Sequence, residues 1–310
     1  MIFLTGASGF IGSQFLRLLL KSGCQVRVLS RDPSQWATNT LVDVYEGDLS
    51  HEINWTRALM GVSVIVHMAA EINDKNTMQA VNFDGPFRFL NAAIDADVNR
   101  WVQLSSVGAY GAVQDGVVDE HWDDCPVGLY EKTKSDFDLA LIQASRSSHL
   151  EVCILRPSNV YGPGMRNQSI QQMLNAIRKN LFAFVGPEGA SANYVHVQDV
   201  VQALDLCVRH PQAANQTYIV SAWATIEDMV SGLAIGLGLN PPCRRVPLRV
   251  ATLLATMMQW WSRWPLTLSR VQAMSVRSRY STEKIERELG WKLMVPVKEG
   301  MRKFARDLLQ

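Results

Sequence analysis

The sequence predicts an α/β protein: a doubly wound parallel sheet with a smaller C-terminal α/β lobe. Three observations predict it. Through the first half, short apolar runs alternate with longer amphipathic stretches, as a parallel sheet covered by helices requires. A glycine-rich turn, Thr5-Gly6-Ala7-Ser8-Gly9-Phe10-Ile11-Gly12, joins the first apolar run to the first amphipathic one. After residue 160 the chain breaks into Gly- and Pro-punctuated pieces such as Tyr161-Gly162-Pro163-Gly164 and Gly186-Pro187-Glu188-Gly189, and there a second unit begins.

Taken in order, the predicted strands cover residues 2 to 5, 25 to 30, 42 to 46, 62 to 67, 101 to 105 and 152 to 155, with helices starting near Phe10, Asn54, Thr77 and Tyr130. Right-handed crossovers wind such units into a sheet whose ligand crevice lies at the carboxyl ends of the strands. Gly6, Ser30, His67, Ser105 and Arg156 all stand where a predicted strand stops. In the second half, helices are expected over residues 168 to 179, 198 to 208, 226 to 237, 248 to 261 and 297 to 309. The expected division is residues 1 to 160 and 161 to 310, intertwined, with some later segments returning to the sheet.

Composition narrows the functional classes. A chain of 310 residues, 47% hydrophobic and 19% charged, has a core of globular size. Thirty basic against twenty-nine acidic residues leave a formal charge of +1 without a basic tract, which argues against a nucleic-acid surface. Cys24, Cys125, Cys153, Cys207 and Cys243 are scattered, odd in number and without metal-ligand spacing. They are expected to be reduced, mostly buried thiols of a cytoplasmic protein. The opening Met1-Ile2-Phe3-Leu4 reads as a strand, not as a targeting signal. One segment is conspicuously apolar: residues 250 to 261, with Met257, Met258, Trp260 and Trp261, followed by Trp264. It is shorter than the roughly 20 residues that span a bilayer, so no transmembrane segment is expected. A buried or oligomer-contacting helix is the first expectation, and peripheral contact with a membrane surface the second.

The chemistry is carried by two patterns. Gly6, Gly9 and Gly12 follow a strand and open a helix, where missing side chains let a pyrophosphate approach the backbone and the helix N-terminus offers free N–H groups. The spacing is G-x-x-G-x-x-G. The second strand ends Ser30-Arg31-Asp32; Ser30 stands where a carboxylate would bind a free ribose hydroxyl, and Arg31 suits a 2′-phosphate. NADP(H) is therefore favoured, with NAD(H) open if Asp32 reaches the ribose instead. Tyr130 and Lys134 are four residues apart, on one face of a helix. A lysine beside the ring would favour the phenolate, and a tyrosine tuned in this way passes a proton to or from a substrate oxygen.

With these residues the chain resembles an extended short-chain dehydrogenase/reductase of the NAD-dependent epimerase/dehydratase type, with a Rossmann sheet. The resemblance runs through Gly47-Asp48-Leu49, His67-Met68-Ala69-Ala70, Val81-Asn82, Ser105-Ser106-Val107-Gly108-Ala109-Tyr110-Gly111, Arg156-Pro157-Ser158-Asn159-Val160-Tyr161-Gly162-Pro163 and Val195-His196-Val197-Gln198-Asp199-Val200. Glu283-Lys284-Ile285 and Glu288-Leu289-Gly290-Trp291 also fit. The pieces stand in family order and cover nearly the whole length.

The resemblance implies roles. Ser106 would hydrogen-bond the substrate oxygen beside Tyr130, with Ser105 its rival, and Lys134 would also hold the nicotinamide ribose. The cofactor would touch Gly6, Ser8, Gly9, Phe10, Ile11, Gly12, Arg31, Ser105, Tyr130 and Lys134. Asp48 and Leu49 would lie at adenine, Ala69 and Ala70 along the cofactor by backbone, and Pro157 near the nicotinamide amide. Asn159 would approach a substrate diphosphate. His67 and His196 read as structural, and Arg244, Arg245 and Arg277 as candidates for substrate phosphates, with Arg244 the one taken as substrate-binding. Two positions depart from the pattern: Pro86 stands where threonine is common, and Glu131 where a small residue is usual.

The expected activity is hydride transfer on a nucleotide-linked sugar, by a keto-sugar reductase or a C4 epimerase. A reductase or dehydrogenase of a steroid- or flavonoid-like alcohol is the alternative, suited by Trp260, Trp261, Trp264 and Pro265-Leu266-Thr267. A non-catalytic NADP(H)-binding regulator is a third, opposed by the intact Ser106, Tyr130 and Lys134. The family would imply a homodimer through helices near residues 77 to 96 and 130 to 144.

Overall fold

A computed structural model describes residues 1–36, 39–165, 168–257 and 268–308. Seven parallel strands form the main sheet: β1 (Ile2–Thr5), β2 (Val26–Ser30), β3 (Val42–Glu46), β4 (Val64–His67), β5 (Arg100–Leu104), β6 (Glu151–Pro157) and β7 (Gln216–Val220). Their spatial order is β7-β6-β5-β4-β1-β2-β3. The chain reverses its winding direction at β1, which pairs Ile2 with Val26 on one side and with Val64 on the other. That is where a doubly wound sheet opens its crevice.

Helices α1 (Phe10–Lys21), α2 (Gly85–Asp95), α3 (Leu129–Ser147) and α4 (Val197–Arg209) cover the sheet. Alternation along the strands supplies both apolar layers. Leu4 and Val102 join Phe15 and Leu19 of α1 and Val200 and Leu204 of α4. Phe3 and Trp101 point the other way, to Phe89 of α2 and Phe137 and Leu141 of α3.

The expected strands and helices appear, with shifted ends, and the differences have local causes. The helix expected from Asn54 is a single turn, Trp55–Ala58, started by the Asn54 side chain on the Arg57 amide and stopped near Gly61 at φ +73°. The helix expected near Thr77 begins at Lys75 and passes through a π turn, Ala80–Asp84, before α2. Pro86 explains the interruption: it brings no N–H, and its ring crowds the carbonyl four residues back, so the wider turn makes room. The strand completing the sheet, β7, was not among those expected individually. Of the cysteines, Cys153 and Cys207 are buried, but Cys125 and Cys243 are exposed and Cys24 lies between, which corrects the expectation of mostly buried thiols. They sit on loops that the apolar periodicity does not cover.

The later half intertwines with the sheet. Asn159–Tyr161, Ser191–His196 and Trp223–Thr225 form a three-stranded sheet, and Arg279–Tyr280 pairs in parallel with Val117–Val118. Trp291, almost fully buried, donates its indole N–H to the Asp199 carbonyl, while the Met294 amide donates to the Asp199 carboxylate. The Glu288-Leu289-Gly290-Trp291 stretch thereby fastens the end of the chain to α4.

The second core lies among α5 (Ile226–Gly236), Phe182, Phe184 and α7 (Val297–Asp307), with α6 (Leu248–Met257) at its border. The helix expected over residues 248 to 261 is described as far as Met257, and Trp260, Trp261, Trp264 and Pro265-Leu266-Thr267 lie outside the described residues. Gly232 and Gly236, one turn apart on α5, let α7 approach until the Lys298 and Arg302 carbonyls occupy the places their Cβ atoms would take. Gly236→Ala must therefore push α7 away. We expect a loss of about 2 kcal/mol in urea unfolding, the scale of an overpacked core site, and a larger loss when Gly232→Ala is added.

Candidate active site

The glycine turn is built by close approach. Gly6 has φ +70°, and a Cβ there would stand 2.6 Å from the Ala69 amide nitrogen. A Cβ at Gly12 would strike the Gly6 carbonyl. Gly9 precedes α1 with extended backbone and no side-chain cap. The first amides of α1, at Phe10, Ile11 and Gly12, consequently have no carbonyl of their own helix to meet and face the crevice with the helix's partial positive charge. Ser8 and Gly9 are exposed, Phe10 and Ile11 half-buried. Gly6 and Gly12 let the turn pack tightly on the loop after β4 and on itself, and the amides left at the start of α1 suit a dinucleotide pyrophosphate.

Sequence reasoning passed over Thr5. Its hydroxyl lies 2.8 Å from His67 Nδ1 and accepts from the Met68 and Ala69 amides at 3.2 and 3.3 Å. The loop after β4 is thus held against the glycine turn, with Ala69 half-buried and Ala70 exposed beside it. His67 is buried, and burial together with Lys134 holds its imidazole well below the ordinary range; it is a neutral, structural group, as expected. His196 is likewise structural, its Nδ1 accepting from the Gln198 amide at the start of α4. Burial and Lys303 pull it down to about 4.

On the adenosine side, Arg31 points into solvent with 82% of its side chain exposed, 4.0 Å from Asp48. The Asp32 carboxylate is already engaged by the Ser34 amide and hydroxyl and by Gln35. Ser30 donates to the Asp32 carbonyl and accepts from the Trp36 indole. Asp48 takes the Ser50 amide and hydroxyl. The Leu49 side chain belongs to the apolar core under α2, and its carbonyl packs against Gly85 and accepts from Arg88.

The reacting end is organised by α3, which carries Tyr130, Lys134 and Asp138 at successive turns. Lys134 is buried and donates from Nζ to the Leu104 carbonyl at 2.6 Å. Asp138, with no exposure, accepts from the Ser105 hydroxyl at 2.6 Å and from Arg156 Nε and Nη2 at 3.2 and 3.1 Å. Arg156 also makes a two-pronged pair with Asp124 at 2.6 and 2.8 Å and lies over the Tyr110 ring at 4.7 Å. Asp138 and its partners were not anticipated as part of the site; the only signal was that Asp138 continues the four-residue spacing of Tyr130 and Lys134.

Asp138 also separates the two serines. Ser105 is buried and holds Asp138, whereas Ser106 is half-buried and its oxygen accepts the Gly108 amide at 3.0 Å. That bond leaves the Ser106 O–H free to turn toward a substrate oxygen.

Electrostatics differ from expectation at Tyr130. The phenol is pushed up to about 12 by burial and by the negative charges of Glu131 and Asp138. Lys134, directed to Leu104, is pulled down to about 8 by burial, against the opposing pull of Asp138. The lysine's hydrogen bond goes to Leu104, and the groups acting on the phenol are Glu131 and Asp138 together with burial. The Glu131 side chain folds over Gly108 and Gly128, whose missing Cβ atoms make room for it, so the departure at Glu131 lands directly beside Ser106 and Tyr130. Asn82, in the π turn, accepts the Glu71 amide at 2.7 Å and donates to Thr133 at 3.2 Å, linking the loop beyond Ala70 to α3.

Farther out, Pro157 closes β6 and Asn159 stands exposed at the next strand, its amide donating to the Asn193 carbonyl. The expected phosphate-binding arginines are engaged elsewhere. Arg244 donates to the Asn180 carbonyl, Arg245 pairs with Glu227 at 2.7 Å, and Arg277 holds the Pro187 and Glu188 carbonyls. Arg279, not singled out before, lies over Trp223 at 3.5 Å; Asn193 pairs with Trp223 across the strands and donates to the carbonyl of neighbouring Ser278. Among the described residues no group of His, Cys, Asp and Glu is arranged to hold a metal ion.

A dinucleotide cradle at the switch point, with a serine and a tyrosine beyond its end, is matched by a family model. The NAD dependent epimerase/dehydratase family model covers residues 2–221. The chain belongs to this family. It is an enzyme of the extended short-chain dehydrogenase/reductase type. Over the whole chain and 95% of the relative it is 26% identical to a UDP-glucose 4-epimerase of Vibrio cholerae. It is 29% identical to sterol demethylase protein B of Methylococcus capsulatus, over 92% of each. Among solved structures it resembles MoeE5 in complex with UDP-glucose and NAD, with TM-score 0.75, 26% identity and coverage of 100% of this chain and 99% of that one. An Agrobacterium tumefaciens short-chain dehydrogenase/reductase superfamily protein with bound NAD shares the fold, with TM-score 0.76, 24% identity and coverage of 99% and 96%.

Asp138→Asn tests the buried network of this family member. An amide there faces the Arg156 guanidinium with donors, so unfolding free energy should fall by roughly 3 kcal/mol, as when one partner leaves a buried pair. Lys134 would lose the charge that raises it and titrate below about 8. Because the unfolded lysine keeps its proton to higher pH, Lys134 makes wild-type stability rise with pH from about 8 toward 10.5; in the variant that rise begins at lower pH. Urea unfolding across this range measures both effects.

Proposed function

We propose that the protein is an NADP(H)-using reductase of a keto group on a nucleotide-linked sugar. The observation that carries the reductive direction is the placing of Lys134, whose Nζ donates to the Leu104 carbonyl, while burial with Glu131 and Asp138 pushes the Tyr130 phenol up and favours its protonated form. Ser106 turns its O–H to the substrate carbonyl, Tyr130 donates the proton to the same oxygen, and Lys134 reaches the nicotinamide ribose. The cofactor, when bound, supplies the hydride. A C4 epimerase would have to use Tyr130 as a base first, against its raised pKa.

The substrate class rests on the exposed Asn159 amide, on the cation of Arg279 near it in place of Arg244, and on the full-length likeness to MoeE5. Asp32, tied down by Ser34 and Gln35, leaves the ribose position to Arg31, which supports NADP(H) over NAD(H). A second reading, reduction or oxidation of a sterol-like alcohol, is favoured by the likeness to sterol demethylase protein B and by the exposed apolar face of α6. We further propose a homodimer through α2 and α3, which expose Phe87 and Leu139 to 41% and 50%.

Thermal shifts with UDP, dTDP, GDP and a steroid panel decide between the readings, because a ligand of the native state raises its apparent stability. A nucleoside diphosphate should raise the midpoint and the steroids should not; the reverse result overturns the sugar reading. With the substrate so found, Tyr130→Phe is expected to reduce turnover at least about a hundredfold while cofactor fluorescence titrations stay unchanged.

Arg31→Ala should weaken NADPH roughly tenfold relative to NADH, the scale of one lost charge-assisted phosphate contact. Equal losses for both cofactors would show that Arg31 does not read the ribose.

A further inference from the structure

The near-even charge of the whole chain hides an uneven distribution. Residues 229 to 282 contain seven arginines, Arg244, Arg245, Arg249, Arg263, Arg270, Arg277 and Arg279, and not one Asp, Glu or Lys. α6 lies within this stretch. It divides its residues sharply: Ala251 and Ala255 are buried against Val185 and Val271, whereas Val250, Leu253, Leu254 and Met257 are exposed to 45, 60, 38 and 60%. These four stand at i, i+3, i+4 and i+7, a single outward face.

The two threonines of the helix are satisfied within it. Thr252 donates to the Leu248 carbonyl and Thr256 to the Thr252 carbonyl, each at 2.9 Å, so neither hydroxyl needs water. Arg249, exposed at the start of the helix, brings a charge without an acidic neighbour in sequence. The helix has ten residues, too few to cross a bilayer, and no helix among the described residues is long and apolar enough to do so.

We propose that α6 docks the protein on the surface of a membrane containing anionic lipid. The helix lies flat, with Val250, Leu253, Leu254 and Met257 at the boundary between headgroups and acyl chains and the exposed Arg244 and Arg249 at the phosphates. Charge complementarity selects this occupant. Arg245 is paired with Glu227, but Arg244 and Arg249 are exposed with no acidic partner among the described residues. A second copy of the chain would bring the same two charges, and an aqueous partner would have to match both them and an apolar stripe. Docking is independent of which substrate the active site takes.

Vesicle flotation of the full-length protein tests the proposal. Vesicles with about one quarter phosphatidylglycerol should carry the protein up the gradient. Pure phosphatidylcholine should carry it poorly, and high salt should weaken the anionic binding through screening. Leu253→Asp with Met257→Asp should lower partitioning at least about tenfold, since it sets charges in the apolar boundary. Arg249→Glu should lower partitioning onto anionic vesicles several-fold. Both variants keep cofactor binding, because they lie outside the crevice. The proposal fails if wild type does not float with anionic vesicles, or if the doubly substituted chain floats as well as wild type. It also fails if that substitution dissociates an oligomer while wild type ignores vesicles, the result expected were a second copy the occupant.

Discussion

One fully buried carboxylate sets the register of the reacting end. Asp138 cannot face water, so its charge must be met inside, and the groups that meet it come from different elements: Ser105 after β5, Arg156 on β6, and Lys134 one turn back on its own helix. Burying such groups costs several kcal/mol per ion unless geometry and hydrogen bonds compensate. Here Arg156 bridges Asp138 to Asp124, and Asp124 also receives Ser135. α3 can then seat in only one way, which also fixes Tyr130 two turns before Asp138. One acceptor, Asp138 Oδ1, is left without a partner, so the network tolerates little further loss.

From this seat follows the protonation state of the tyrosine. Two effects compete at the phenol: a nearby ammonium would favour the phenolate, and burial with neighbouring carboxylates disfavours it. Lys134 is drawn to the Leu104 carbonyl, while Glu131 and Asp138 act on Tyr130 together with burial. The second effect wins. A helical i, i+4 pair thus places a lysine near a tyrosine without fixing the balance at the phenol; burial first, and then the carboxylates of Glu131 and Asp138, push it up.

Much of the architecture was legible because it rests on local rules. Alternating apolar runs located six of the seven sheet strands, and glycines that follow a strand and open a helix located the cradle at Gly6, Gly9 and Gly12. What was illegible depends on contacts distant in sequence. The engagement of Ser105, which Ser106 does not share, comes from a carboxylate 33 residues away, and the fates of Arg244, Arg245 and Arg277 are set by backbone carbonyls and a glutamate brought in by folding. The π turn at Ala80–Asp84 could have been inferred from Pro86, since a proline within an amphipathic run obliges the helix to open or end. The acid-free stretch around α6 was visible in the sequence but cancelled in the total charge.

The Arg31–Asp48 pair bears on cofactor choice in a way that distance alone obscures. At 4.0 Å, with the arginine 82% exposed, it is a surface pair worth under about 1 kcal/mol. Asp48 is meanwhile held by the Ser50 amide and hydroxyl and does not need Arg31 as a partner. Moving the guanidinium to a ribose phosphate therefore sacrifices little, and a phosphate offers a doubly charged, two-pronged acceptor in return. Asp32 already accepts three hydrogen bonds from Ser34 and Gln35, which leaves it about one free lone pair for a ribose hydroxyl. The freedom of Arg31 is what supports the proposed preference for NADP(H).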